Sequence, residues 1–322
     1  MSLRVAVQMD PIETINIKGD SSFALMLAAQ ERGHEVFEYH VGSLTLDAHD
    51  RLWAQAAPVT VRRIEGDHFE KDESRRLDLG RDVDVVLMRQ DPPFHMGYIT
   101  ATHMLERIRH ETLVVNDPAN VRNAPEKVMV LNYRRFMPPT LVTRSVDEVR
   151  RFMAEHGAVV VKPIHGNGGK AIFRVPESGD NLTALFEVFN QTWPEPHMVQ
   201  PFLPEVATGD KRIVLVDGEI AGAINRIPGK GEFRSNLAMG GSAEATQLTT
   251  REREICEAMG PDLKRLGLTF VGIDVIGGKW LTEINVTSPT GIVAISNFDG
   301  TDVAGMIWDA IEARVAALKR EA

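Results

Sequence analysis

Asp274, Glu283 and Asn285 lie in one strand-like stretch broken only by Gly277-Gly278, a spacing that could bring two carboxylates and an amide onto one surface. A two-residue turn at the glycines predicts an antiparallel hairpin in which Asp274 faces Leu281. Because side chains alternate along a strand, Glu283 and Asn285 would then share the face of Leu281 and Asp274. Hard oxygen donors of this kind, completed by phosphate oxygens and water, suit magnesium in a nucleotide site. The outer face of an ordinary hairpin is also polar, so this stretch alone does not separate a metal site from a solvated surface.

A second cluster begins with an apolar strand, Val159 to Val161, that ends in Lys162 and runs into Gly166, Asn167, Gly168, Gly169 and Lys170 before another strand. Glycines let backbone N–H groups wrap a phosphate. The spelling is not that of a P-loop and no helix follows, so the segment reads as a flexible hairpin lid over phosphates or as a plain turn. Lys127, Lys162, Arg212, Arg226 and Arg234 recur through the same half of the chain, the last within a segment running from Pro228 to Asn236. Each alone could merely solvate the fold, but together with the acidic hairpin they would make a phosphate site.

The elements that must position these residues fall into two styles. The first third alternates strand and helix patterns: Arg4 to Met9, Ser22 to Arg32 closed by Gly33, Glu35 to Tyr39, Val83 to Met88, Ile99 to Arg109 and Leu113 to Asn116. This rhythm predicts an α/β unit with a parallel sheet. Asp67 to Arg81 is charged and aperiodic and reads as an exposed loop or a peripheral helix. After Pro118 the pattern changes, with a helix over Glu126 to Arg135, a strand at Thr140 to Thr143, and Ser145 and Glu148 in capping-box spacing before a helix ended by Gly157. Hairpins then dominate, with Asp217-Gly218 and Gly277-Gly278 as turns and helices at Leu182 to Gln191 and Arg251 to Leu266. An α+β half therefore follows an α/β half.

Composition narrows the function. The 322 residues suit more than one domain, and a formal charge of −9 argues against a nucleic-acid partner or an anionic membrane. No stretch is apolar for long enough to span a bilayer, and the first residues lack a signal-peptide pattern, so the expected address is cytoplasmic. Cys256, the only cysteine, sits in a helical pattern and reads as a small core or near-surface residue rather than a nucleophile.

Several motifs together resemble bacterial glutathione synthetase of the ATP-grasp superfamily, over nearly the whole chain. They are Met9 to Ile12 with Ile15-Asn16, Asp20 to Ala24, Met88-Arg89, Asp91 to Phe94, Lys162-Pro163 with Gly166 to Gly169, Gly209 to Arg212, Arg226 to Pro228, Arg234 to Asn236, Gly240-Gly241 and, most specific, Leu281 to Thr290. The resemblance implies a Rossmann-like α/β N-terminal domain preceding an α+β ATP-grasp module of two subdomains. The expected bounds are 1–122 for the substrate-binding domain, 123–200 for the small subdomain or lid, and 201–322 for the subdomain with the metal site.

The family's chemistry implies ATP-dependent joining of γ-glutamylcysteine and glycine to glutathione through an acyl-phosphate, with ADP and phosphate released. Placed on this chain, the resemblance puts ATP phosphates at Lys127, Lys162 and the Gly166–Asn167–Gly168–Gly169 turn. It puts adenine at Gln200, Pro201, Phe202 and Leu203, and the ribose at Asp210. Two magnesium ions, which manganese could replace, fall to Asp274, Glu283 and Asn285. Arg212, Arg226 and Arg234 would act on the transferred phosphoryl group, with Gly229 to Phe233 as a lid or a surface loop. Asn16 and Arg89 would hold the peptide, and Ser288, Pro289 and Thr290 would line the glycine side. A homo-oligomer, dimer or tetramer, is also implied.

After Thr290 the chain departs from the family's pattern. Val293 and Ala294 stand where an arginine and an acid are expected, which bears on the acceptor more than on ATP use. Lys170 is likewise bulkier than the pattern leads one to expect. A ligase of the glutamate-adding or D-alanine–D-alanine type would lack the motifs at Asp20 to Ala24 and Asp91 to Phe94. A non-catalytic nucleotide-binding regulator would have lost a metal ligand or a phosphate arginine. A dinucleotide-dependent oxidoreductase would need a G-x-G-x-x-G after the first strand.

Overall fold

The computed structural model describes residues 2–236 and 240–321. Strands Arg4–Gln8, Glu35–Tyr39, Val85–Met88 and Leu113–Val115 form a parallel core, as the strand–helix rhythm requires. The sheet then extends in a way the rhythm does not show. A ten-residue strand, Leu52–Val61, pairs antiparallel with Glu35–Tyr39 and carries three short strands of its own. Two of these, Phe69–Lys71 and Arg75–Asp78, fall in the segment read as an exposed loop or peripheral helix, which corrects that expectation. Cross-strand pairing with Leu52–Val61 supplies the order that the charged sequence does not advertise.

The second sheet is wholly antiparallel, ordered Phe173–Val175, Val159–Pro163, His197–Pro201, Leu141–Thr143. Its helices, Val146–His156 and Leu182–Thr192, close a separate core around Val149, Val161, Phe186 and Phe189. Ser145 accepts from the Glu148 amide at 3.4 Å, while the Glu148 side chain pairs with Arg151, so only one arm of the capping box forms. The stretch read as one helix over Glu126 to Arg135 is instead the short helix Glu126–Met129 and a 3-10 run, Val130–Phe136, kinked at Tyr133.

The third sheet runs Ser242–Ala245, Glu219–Ile227, Asp210–Val216, Phe270–Ile276, Trp280–Asn285, all antiparallel. It shares both of its cores with the first sheet, one through Met259 and Leu263 of the helix Thr250–Arg265. The other core runs through two helices beyond those expected above, Ile292–Asp299 and Val303–Glu321. Val303, Ile307, Trp308, Ile311 and Val315 form a buried stripe at helical spacing, and Trp308 Nε1 donates to Leu25 O at 2.8 Å. Outer sheets thus form one continuous packing unit, against which the middle sheet keeps its own core. Cys256 is buried, and burial pushes its thiol up to about 12, so it belongs to the core.

Asn116 joins the first sheet to the third. Its Nδ2 donates to Phe270 O at 2.8 Å and Val286 O at 2.7 Å, and its Oδ1 accepts from Phe270 N at 2.8 Å. Asn116→Ala would leave these buried backbone groups unmatched, at a cost of roughly 1–3 kcal/mol. The expected result is a lowered melting temperature in scanning calorimetry, and an unchanged one would show that the clamp carries no stability.

Candidate active site

The acidic hairpin forms, but not in the expected register. Its turn spans three residues, 277–279, and Leu281 pairs with Val275 rather than Asp274. A bulge between Asp274 and Val275 then sets Asp274 opposite Glu283 and Gly272 opposite Asn285, so the three oxygen-bearing side chains do share a face. The extra turn residue and the bulge compensate each other, and Thr282 Oγ1 fills the irregularity by donating to Asp274 O at 3.1 Å.

Asp274 is enclosed by arginines. Arg212 Nε and Nη2 donate to its two oxygens at 2.6 and 3.0 Å, and Arg226 Nη2 lies 3.0 Å from Oδ1. Gly272 makes room for this fork, since a Cβ there would meet Arg212 Cδ at 3.0 Å. Burial alone would raise the Asp274 carboxyl, but the charges of Arg212 and Arg226 overcome it and hold the group far below the usual carboxylate range. Asp210, given above to the ribose, accepts from Arg226 Nε at 2.6 Å, and burial raises it despite that partner.

Glu283 faces the lysines. Lys127 Nζ lies 3.3 Å and Lys162 Nζ 3.9 Å from Oε1, and Lys127 also donates to Gly166 O at 2.5 Å. Burial lowers Lys162, with Glu283 opposing. Gly168 and Gly169 take positive φ, which frees the turn to fold back toward the lysines. Arg234 Nη1 donates to Gly169 O at 3.1 Å, so the 228–236 segment rests on the glycine turn. Lys170 is exposed beside it.

Between the middle and third sheets these residues border a cleft with about 660 Å³ of empty space, reached by Lys162, Asp210, Arg234, Asp274, Glu283 and the run Gln200–Leu203. The Gln200 amide donates to Thr140 Oγ1 at 2.9 Å, which leaves backbone and Pro201, Phe202 and Leu203 to face a ligand. The donors on the hairpin suit magnesium in type and number, since that ion commonly takes one or two carboxylates and completes its shell with phosphate and water. Among the described residues no group of three or more His, Cys, Asp or Glu side chains forms a metal cage.

Arg89, Ser288, Pro289 and Thr290 also come together. Arg89 is buried, with Nε donating to Ser22 Oγ at 3.0 Å and Nη2 to Pro289 O at 2.9 Å, while Ser288 Oγ donates to Arg89 O at 3.2 Å. Arg212 Nη1 donates to Thr290 O at 3.2 Å, so this segment runs from Arg89 to the arginine cluster. No carboxylate pairs with Arg89 among the described residues. Asn16 is exposed, its Oδ1 accepting only from Lys18 N, and nothing bonds it to this group among the described residues. Val293 and Ala294 pack against the core beside Ile292 and Ile295, which accounts for apolar residues at those positions.

One carboxylate beside the site escaped the sequence reading. Glu126, next to Lys127, accepts from Thr287 Oγ1 at 2.9 Å, and burial raises it to about 7.

Comparison with known proteins matches residues 3–122 to the prokaryotic glutathione synthetase N-terminal domain and residues 126–300 to the prokaryotic glutathione synthetase ATP-grasp domain. The glutathione synthetase of Rhodopseudomonas palustris is 57% identical over 316 residues, covering 98% of this chain and 100% of that protein. The glutathione synthetase of Shewanella oneidensis is 44% identical, covering 97% and 99%. Among solved structures, D-cycloserine synthetase DcsG superposes with a TM-score of 0.69 at 18% identity, covering 97% of this chain and 99% of that one. A RimK domain ATP-grasp protein from Sphaerobacter thermophilus gives 0.65 at 19%, covering 95% and 98%. These structures share the fold, which is ATP-grasp.

Proposed function

The chain belongs to the prokaryotic glutathione synthetase family, and we propose that its cleft makes glutathione with the residues assembled above. It is an ATP-dependent, ADP-forming ligase that joins γ-glutamylcysteine to glycine. A free carboxylate is a poor electrophile because its leaving group would be oxide. Conversion to an acyl-phosphate supplies a good leaving group, and the amine then displaces phosphate.

The observation that carries the residue assignments is the convergence of Lys127, Lys162, Arg212 and Arg226 on Glu283 and Asp274. Lys127, Lys162 and the glycine turn grip the ATP phosphates, and Gln200 to Leu203 hold the adenine, with Asp210 toward the ribose. Arg212 and Arg226 exchange Asp274 for the transferred phosphoryl group, freeing its carboxylate. Asp274, Glu283 and Asn285 would hold two magnesium ions, or manganese, which would supply charge neutralisation at the phosphates. Arg234 carries the 228–236 segment over the glycine turn, where it excludes water from the intermediate.

Arg89 takes a peptide carboxylate in place of the absent ion pair, with Asn16 at its outer edge, and Ser288 to Thr290 face the acceptor. The working units are 1–122, 123–200 and 201–322, a division supported by the three sheets. The chain acts in the cytoplasm as a homo-oligomer, dimer or tetramer, without nucleic acid or membrane. The −9 charge is in keeping with this.

The test is incubation with ATP, magnesium, γ-glutamylcysteine and glycine, each omitted in turn, with phosphate release followed and the product identified by mass spectrometry. Glutathione formed only in the complete mixture is expected. Phosphate release that depends on another amine would sink glycine as the acceptor.

A further inference from the structure

A second, narrow cavity, with room for about one water-sized group, lies between the first domain and the glycine turn. Pro92 and Phe94 border it on one side and His165 and Asn167 on another, with Glu126 and Thr287 between them. It adjoins the phosphate site, because Gly166 lines it and Lys127 bonds Gly166 O. It also adjoins the acceptor side, because Thr287 directly precedes Ser288.

Its polar groups are only partly matched. Thr287 donates to Oε1 of Glu126 at 2.9 Å, and among the described residues no hydrogen bond is made to Oε2. Among the described residues His165 Nδ1 is buried without a partner, and so, behind the cavity lining, is the hydroxyl of Tyr98, whose ring lies 5.3 Å from that of Phe94. Native interiors rarely leave a buried polar atom unmatched, and His165 Nδ1 beside the free Glu126 oxygen points to a polar guest.

We propose that this cavity receives the amine of the acceptor amino acid, and that Glu126 is the catalytic residue that takes its proton. The inference rests on the ligase reading given above. The acceptor arrives as an ammonium ion, which has no lone pair to attack with. Glu126 removes one proton and the freed nitrogen forms its C–N bond to the acyl carbon. The C–O bond to phosphate breaks, its electron pair leaves with the phosphate, and the second nitrogen proton departs on that phosphate.

The charged and titratable groups around Glu126 are Lys127 on its own helix, Glu283 and Arg212 from the third sheet, and Tyr98 from the first domain. Lys127, rather than Glu126, is the group bonded to Glu283. Burial comes first among the influences on Glu126 and raises it to about 7, where a carboxylate is a competent proton acceptor at neutral pH. Burial lowers His165 and raises Tyr98, so both are neutral beside it.

Hydroxylamine separates this role from a structural one, since it is already uncharged at pH 7 and intercepts an acyl-phosphate without a proton acceptor. In Glu126→Gln, glycine-dependent glutathione formation should fall about 100-fold or more, while hydroxamate formation with hydroxylamine in place of glycine stays within about threefold of the parent. Equal losses with both nucleophiles would overturn the proposal, as would full activity with glycine. If the parent protein makes neither product, the ligase reading fails and this proposal falls with it. Should Glu126→Gln not fold, Glu126→Asp carries the same comparison with its charge withdrawn by one methylene. Its loss, though smaller, must still be confined to glycine.

Discussion

Replacing Asp274 with asparagine should lower kcat for glutathione formation by about 10³-fold and destabilise the protein by about 3–5 kcal/mol. The asparagine keeps the shape but removes the charge that Arg212 and Arg226 share at 2.6 to 3.0 Å. Two buried guanidinium groups would then face each other with Asp210 as their one remaining carboxylate. The same change would remove a donor proposed above for the metal, so the residual activity should demand more magnesium than the parent does. An unaltered magnesium requirement would show that Asp274 only positions the arginines. Acid distinguishes the stability term. Because the folded-state pKa of Asp274 is depressed, its stabilisation is complete above the ordinary 3.8 and is lost as pH falls through the lower folded value. The stability gap between parent and variant should therefore hold from neutrality to about pH 4 and narrow only on further acidification.

Much of this site was legible because its residues sit at positions where local pattern and chemistry agree. Lys162 ends an apolar strand, the glycines follow it, and the acidic hairpin carries its donors at alternating positions. The register was misjudged because Gly277-Gly278 invites a two-residue turn, and nothing in the sequence marks the bulge that restores the shared face. The strand Leu52–Val61 escaped notice for a related reason. Its alanines and Pro58 weaken the β signal, and its order comes from partners on both edges. The commitments of Asp274 and Asp210 to arginines are long-range pairings that no spacing reveals. Glu126 belongs to the same class, because a carboxylate on a short helix becomes unusual only when a second domain buries it.

That burial makes a prediction of opposite sign to the catalytic one. Burial raises Glu126 from 4.5 to about 7, so between those values the unfolded chain releases a proton that the folded chain keeps. Stability falls as pH rises across this window, and above it the accumulated cost is about 3 kcal/mol. Glutamine carries no charge to desolvate, and its amide oxygen can still accept from Thr287. Glu126→Gln should therefore melt at a higher temperature than the parent at pH 8, with the difference shrinking at pH 6 and vanishing near pH 4 in calorimetric scans. A variant that melts lower at pH 8, or by a margin that ignores pH, would show that Glu126 carries no such cost. A single substitution that stabilises the fold at working pH while disabling the glycine step is what a carboxylate kept for chemistry should produce, since the stability it forgoes has no structural return.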